Sequence, residues 1–116
     1  MRTARHALVG LVGLVAVLLA VAACGSDQAG PPSIEFGRDV CDECHMIISE
    51  PRYAAAYRDA AGTPSIFDDI GDMLDHGLSS GTLAEATVWV HDFDTEEWVE
   101  AADAWFVAGG DVQTPM

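Results

Sequence analysis

The sequence predicts an α+β fold, a small antiparallel sheet with one packed helix (a ββαβ-like unit), preceded by a lipoprotein signal peptide. Three observations lead to this prediction. An apolar segment near the start ends at a cysteine, short β-branched and aromatic runs alternate with turn residues, and one apolar stripe has helical spacing. The part that folds is short enough for a single domain, whose small core would commonly be stabilised by a metal or a disulfide.

The N-terminal segment has the pattern of an export signal. Two arginines precede seventeen uncharged residues at 7–23, which is slightly short of the roughly 20 needed to span a membrane. Small residues at 21–23 then precede Cys24, the arrangement that lipoprotein signal peptidases cut. We therefore predict a signal peptide at 1–23 and lipidation of Cys24, with an uncleaved anchor or ordinary secretion as the alternatives.

A polar tether and the folded domain follow the lipidation site. Residues 24–33 are rich in Gly, Ser and Pro, which predicts a flexible tether, and residues 34–116 form the predicted metal-binding domain. More than one acyl chain on Cys24 would hold the domain stably at a membrane. The predicted location is extracytoplasmic and membrane-anchored.

The charge of the chain excludes one class of partner. Beyond the signal peptide, three arginines and no lysine stand against nineteen acidic residues, a net charge of −16. Nucleic-acid binding requires a basic surface, so it is excluded. An acidic surface by itself indicates little more than solubility.

Four segments have the composition of strands. Residues 52–59 alternate in a pattern that predicts a short half-buried strand, and residues 87–93 are β-branched and aromatic. Residues 98–100 and 104–107 predict two further short strands. A hairpin is expected around the cysteines, and the three tryptophans are expected in the core: Trp89, Trp98 and Trp105.

One helix is predicted between the first two of these strands. Its apolar stripe comprises Ile66, Phe67, Ile70, Met73, Leu74 and Leu78, and its acidic residues lie largely off the stripe: Asp68, Asp69, Asp72 and Asp75. Ser65 is the predicted N-cap and Gly77 suits the helix end. Met73 is expected in the core, His76 at the exposed end of the helix, and His91 partly buried in the sheet.

The segment Cys-Asp-Glu-Cys-His-Met at residues 41–46 carries the chemistry. Cys41 and Cys44 can hold one ion within a single turn, and Met46 projects from the same face as Cys44 in an extended segment. Thiolate and thioether sulfurs are soft ligands that prefer Cu(I).

Other readings of this segment remain open from the residues alone. Cys41, Cys44 and His45 spell the C-x-x-C-H of covalent haem attachment in a small c-type cytochrome, with Met73 or Met116 opposite. A chain with one predicted helix is unlike the helical wrapping of small cytochromes. Zinc would need four strong ligands, and only scattered histidines are available to complete a site. A redox dithiol or a plain disulfide is the remaining possibility.

An ordered set of motifs resembles the NosL family of Cu(I)-binding lipoproteins, which accompany the nitrous oxide reductase system. The motifs are C-x-x-C-x-M-I (41–47), Y-A-A (53–55), F-D-D-I-G-D-M-L (67–74), V-H-D (90–92), W-V-E-A (98–101), W-F-V (105–107) and T-P-M (114–116). They span nearly all of residues 34–116 and are preceded by the lipoprotein cleavage pattern.

The resemblance implies a ligand set and partners. It assigns the Cu(I) ligands to Cys41, Cys44, Met46 and Met116, and His45, where the family usually has glycine, is a possible additional ligand. It implies an upstream copper donor and a copper-enzyme acceptor, nitrous oxide reductase. The family typically continues after the T-P-M motif into a second structural half that this sequence lacks, so we expect either a short member of the family or a truncated product. We find no catalytic constellation and predict a metallochaperone rather than an enzyme.

Overall fold

The computed structural model describes residues 30–114. The predicted signal peptide, Cys24, most of the tether and Met116 lie outside the described residues. At the end of the predicted tether, Pro32 is buried and the Gly30 carbonyl accepts a hydrogen bond from Arg58 Nε at 3.0 Å. Across residues 30–114, every helix is too short or too polar to cross a bilayer.

A four-stranded antiparallel sheet and one α-helix confirm the predicted α+β class. In chain order the elements are β1 (Ala55–Arg58), β2 (Pro64–Phe67), α1 (Ile70–Ser80), β3 (Thr87–His91) and β4 (Trp98–Glu100). Their order across the sheet is β2-β1-β3-β4. Helix α1 therefore connects the edge strand β2 to the inner strand β3, and it packs against β1 and β2.

Strand β1 lies inside the sheet and is more deeply buried than predicted. Ala55 is paired with Phe67 of β2 on one side and with Val90 of β3 on the other. Residues 54–57 are all buried, so this strand is covered on both faces rather than half-buried. Its consecutive alanines have small side chains, so the elements packed on both faces can approach closely. The alternation of tyrosine and alanine had indicated only one buried face.

Helix α1 begins later than the apolar stripe predicted. Ser65 is not its N-cap, because it is paired with Tyr57 in the β1–β2 ladder. Asp69 caps the helix instead, and its side chain accepts a hydrogen bond from the Asp72 N–H at 2.9 Å. Short polar side chains at this position satisfy one of the free amide groups of the first turn. The segment before Asp69 is consequently a strand.

The helix also ends later than predicted. It continues past Gly77 to Ser80, and Gly81 terminates it with φ 73°, the left-handed conformation that favours glycine. A Cβ atom at Gly77 would overlap the Leu83 side chain. Gly77 therefore serves close packing within the helix and does not mark its end.

The core joins the cysteine segment, the sheet and the helix. It comprises Cys41, Ile48, Ala54, Ala55, Tyr57, Phe67, Met73 and Val90. The core position predicted for Met73 is confirmed, Trp89 is buried and Trp98 is half-buried. The prediction for Trp105 is wrong, since this side chain is 99% exposed.

The predicted strand at residues 104–107 does not form. A 3₁₀ turn, Ala101–Asp103, directly follows β4, and the described part of the chain shows no backbone hydrogen bond from residues 105–107 to the sheet. A strand needs a paired neighbour as well as β-prone residues. Residues 104–107 have β-prone side chains, but no neighbouring strand of the described chain pairs with them.

His91, at the end of β3, lies in the sheet as expected but is more fully buried than predicted, and three contacts hold it. Its Nδ1–H donates to the Ala54 carbonyl at 3.0 Å, its ring lies 3.7 Å from the Trp98 ring, and Phe36 meets it edge-on. Burial lowers the pKa of His91, and the Ala54 carbonyl and the charge of Glu96 oppose that shift. The folded protein thus favours the neutral imidazole.

We expect His91 to make folding stability increase with pH. Below about pH 6.5 the unfolded chain binds a proton at this histidine that the folded chain resists, so stability falls as the pH decreases through that value. Urea unfolding at about pH 5 and about pH 7.5 measures the dependence. His91→Asn keeps a donor for Ala54, because its Nδ2 lies nearly where the imidazole Nδ1 was, and should show a smaller difference between the two pH values. An identical difference in both proteins would contradict the assignment.

Candidate metal centre

A tight turn at residues 41–44 presents both cysteines. The Cys41 N–H donates to the Met46 carbonyl at 2.8 Å, and one antiparallel bridge joins Val40 to Ile47. The hairpin predicted around the cysteines is therefore reduced to a single bridge. Both cysteines carry free thiols in this structure.

This turn is fixed to the outer edge of β2. The Asp42 N–H donates to the Ile66 carbonyl at 3.0 Å, and the Asp42 side chain accepts from the Ile66 N–H at 2.8 Å. Strand β2 leads directly into Asp68 and the helix cap. The sheet edge therefore places the turn beside the first turn of α1.

Two aspartates complete the cluster. Cys41 Sγ donates to Asp72 Oδ2 at 3.3 Å, and Cys44 Sγ donates to Asp68 Oδ1 at 3.4 Å. One ligand atom from each of these four residues lies within 4.8 Å of all the others. Three of the residues are buried and Cys44 is half-buried, so the cluster reaches the surface at Cys44.

Both thiols are held in the protonated form. Burial raises the pKa of Cys41, although backbone N–H groups of Cys44, Asp68 and Glu43 oppose that shift. Burial also raises the pKa of Cys44, and the Asp72 carboxylate, the Cys41 thiol and Asp68 raise it further. Since metal ions bind the thiolate, the protons must leave when a metal enters.

The donor atoms suit two kinds of metal ion. Two thiolates three residues apart match Cu(I), which prefers soft sulfur ligands and low coordination numbers. Two carboxylates are hard ligands, and together with the thiolates they form a set of four that zinc accepts. With Cu(I), which binds oxygen poorly, the carboxylates lose the S–H hydrogen bonds that they accept in the empty site and remain beside the sulfurs without binding the ion.

Of the predicted copper ligands that lie among the described residues, the structure brings only the two cysteines together in the cluster. Cys41 and Cys44 meet in the cluster, whereas Met46 lies at the surface with 43% of its area exposed. His45 is exposed and outside the four-residue cluster, and its backbone has φ 62°, in the region that favours glycine. Met116 lies outside the described residues. The assignments of Met46, His45 and Met116 as ligands therefore stay predictions.

Sequence reasoning missed Asp68 and Asp72 as members of the site. Both were expected off the apolar stripe of a surface helix, yet they are 3% and 8% exposed. Asp68 directly precedes the N-cap Asp69, and Asp72 lies in the first turn of the helix. A predicted start at Ser65 placed both residues inside the helix, and so hid that they lie at its N-terminus, beside the cysteine turn.

Comparison with known proteins identifies the family. The profile of the NosL family matches residues 34–116, most of the chain and the whole of the described domain from Ile34 onward. The chain belongs to the NosL family. Neither a curated protein nor a solved structure gives a match. NosL proteins are extracytoplasmic copper-binding accessory proteins and not a known enzyme family, and the Cys/Asp cluster supports that role here.

Proposed function

We propose that this protein carries Cu(I) outside the cytoplasm and hands it to a copper enzyme, nitrous oxide reductase. The observation that carries the proposal is the pair of thiols that converge in one cluster, in a chain of the NosL family. Cys24 would attach the carrier to the membrane through acyl chains. This anchoring would keep it close to a copper donor and to the enzyme under assembly.

Ligand exchange is the mechanism that the arrangement favours. Cys44 is half-buried and Cys41 is 1% exposed, so an incoming Cu(I) meets Cys44 first and Cys41 second. Met46 lies two residues away at the surface and could supply a third, neutral sulfur. Each donor ligand is replaced in turn, and release follows the reverse order. A site with few strong ligands permits this exchange, whereas a closed four-ligand site retains its ion.

Anaerobic titration of Cu(I) against a coloured chelator tests the proposal. The reduced full chain in detergent should remove one Cu(I) per chain from the chelator, and mixing with copper-free nitrous oxide reductase should then transfer it. No competition with the chelator would overturn the copper site, whereas uptake without transfer would overturn only the acceptor. A visible haem band in protein made with haem-attachment machinery would instead support a small c-type cytochrome using Cys41, Cys44 and His45.

The two carboxylates favour zinc as a second candidate cargo, and one substitution separates the candidates. We expect Asp72→Asn to lower zinc affinity by about 100-fold, because a ligand is lost, and to change Cu(I) affinity by less than about tenfold. The asparagine oxygen can still accept from the Cys41 thiol. Asp75→Asn, on the exposed side of α1, is the matched control. Equal losses for both metals would mean that the carboxylate binds either ion.

A further inference from the structure

Each of the four residues in the C-x-x-C turn contacts one residue of the segment formed by β2 and α1. The cysteines donate to Asp72 and Asp68, and Asp42 is paired with the backbone of Ile66. The fourth contact joins Glu43 to the helix. Its carboxylate Oε2 lies 2.8 Å from Nδ1 of a histidine one turn after Asp72. A carboxylate offers only acceptors, so the imidazole is the donor.

That histidine, His76, packs against two aromatic rings of the sheet. Its ring lies 5.3 Å from the ring of Phe67, which is fully buried, and 6.3 Å from that of Tyr57. It was expected at the exposed helix end, yet it is only half-exposed. Asp72 and His76 are four residues apart and lie one above the other on the same helix face. This face thus contacts the turn at both Cys41 and Glu43.

Metal loading removes some of the four contacts and spares others. The two thiol hydrogen bonds depend on protons that leave when the sulfurs bind a metal. The contact of Asp42 with Ile66 and that of Glu43 with His76 involve no sulfur, so they persist. Among the described residues, the contact between the Glu43 and His76 side chains therefore joins the turn to α1 both before and after metal binding.

We propose that Glu43 and His76 form a latch that positions the C-x-x-C turn against α1 and sets how slowly the bound metal leaves. The inference rests on the proposed function, with Cu(I) as cargo. Both are positioning residues, since neither belongs to the four-residue cluster. The latch acts by keeping the turn against α1, where Cys41 is 1% exposed, so that replacement of the Cys41 ligand must wait for the turn to lift from the helix.

The expected result is faster release from an unchanged ligand set. His76→Ala in the full chain should increase the rate of Cu(I) transfer to a chelator about threefold, the size expected for loss of a partly exposed ion pair. The ultraviolet thiolate-to-copper band should stay at the same energy. His76→Asn should restore the slower rate, because its Nδ2 occupies nearly the place of the imidazole Nδ1. Leu78→Ala, at an exposed position of the same helix, is the control.

A double-mutant cycle separates a latch from a general loss of stability. Glu43→Ala alone should match His76→Ala, and the double variant should release copper no faster than either. Additive effects, or wild-type rates in both single variants, would overturn the latch even when the wild type binds Cu(I). If the wild type takes up no Cu(I), the proposed function fails separately, and the latch is then tested by the reaction of the Cys44 thiol with a disulfide reagent. That reaction should be about threefold faster in His76→Ala, and an unchanged rate would overturn the latch.

Discussion

Replacing Cys41 with serine is expected to lower Cu(I) affinity by more than about 100-fold, beyond the loss seen when only a ligand's supporting group is removed. Serine replaces a soft sulfur with a hydroxyl that stays protonated at neutral pH, and a hard oxygen is a poor Cu(I) ligand. The hydroxyl can still donate to Asp72 Oδ2, as the thiol does at 3.3 Å. The fold should therefore survive, and competition with a chelator under anaerobic conditions measures the affinity.

Three further variants test whether the loss of Cu(I) affinity comes from removing a ligand of the Cys/Asp cluster. Cys44→Ser should weaken binding to a similar extent, because its sulfur is the other thiolate of the cluster. Met46→Leu should cost less, since a neutral thioether is the weaker donor. Cys24→Ser, the same substitution outside the described residues, should leave affinity unchanged. A Cys41→Ser protein that binds copper within about threefold of the wild type would place the site elsewhere.

Local patterns predicted three of the four strands, β1, β3 and β4, but placed most of β2 at the start of the helix. The β-branched run of β3 and the short β4 form where composition indicated, and they pair through Trp89↔Glu100 and Val90↔Val99. The equally apolar segment at residues 104–107 stays unpaired, and Trp105 is exposed. Residue type predicts the tendency to form a strand, whereas pairing depends on which edges the rest of the chain leaves open.

The sequence predicted the two cysteines of the candidate site but not its two carboxylates. Cys41 and Cys44 follow from their spacing, but the carboxylates required the correct helix start. Ser65 and Asp69 are both acceptable N-caps by residue type, and pairing of β2 with β1 decides between them. With the start at Asp69, Asp68 comes to lie beside Cys44. Tertiary pairing thus determined which acidic residues face the sulfurs.

Copper affinity is expected to rise steeply with pH. Burial raises the pKa of both thiols, and the neighbouring carboxylates raise that of Cys44 further, so the empty protein carries both protons near neutrality. Binding displaces them, and each displaced proton makes the apparent affinity about tenfold higher per pH unit. Two protons predict roughly a 100-fold increase per unit, with tighter binding at higher pH and easier release in acid.

Chelator competitions at about pH 6, 8 and 10, corrected for protonation of the chelator, measure the slope on both sides of the ordinary thiol pKa, and proton release in weak buffer counts the protons directly. The double variant Asp68→Asn/Asp72→Asn is the informative comparison. Without the two carboxylates the pKa of Cys44 should fall, so the slope should flatten at a lower pH than in the wild type. A pH-independent affinity would mean that the thiols are already ionised before copper arrives. In that case the S–H···O hydrogen bonds to Asp68 and Asp72 could not hold the empty site as described.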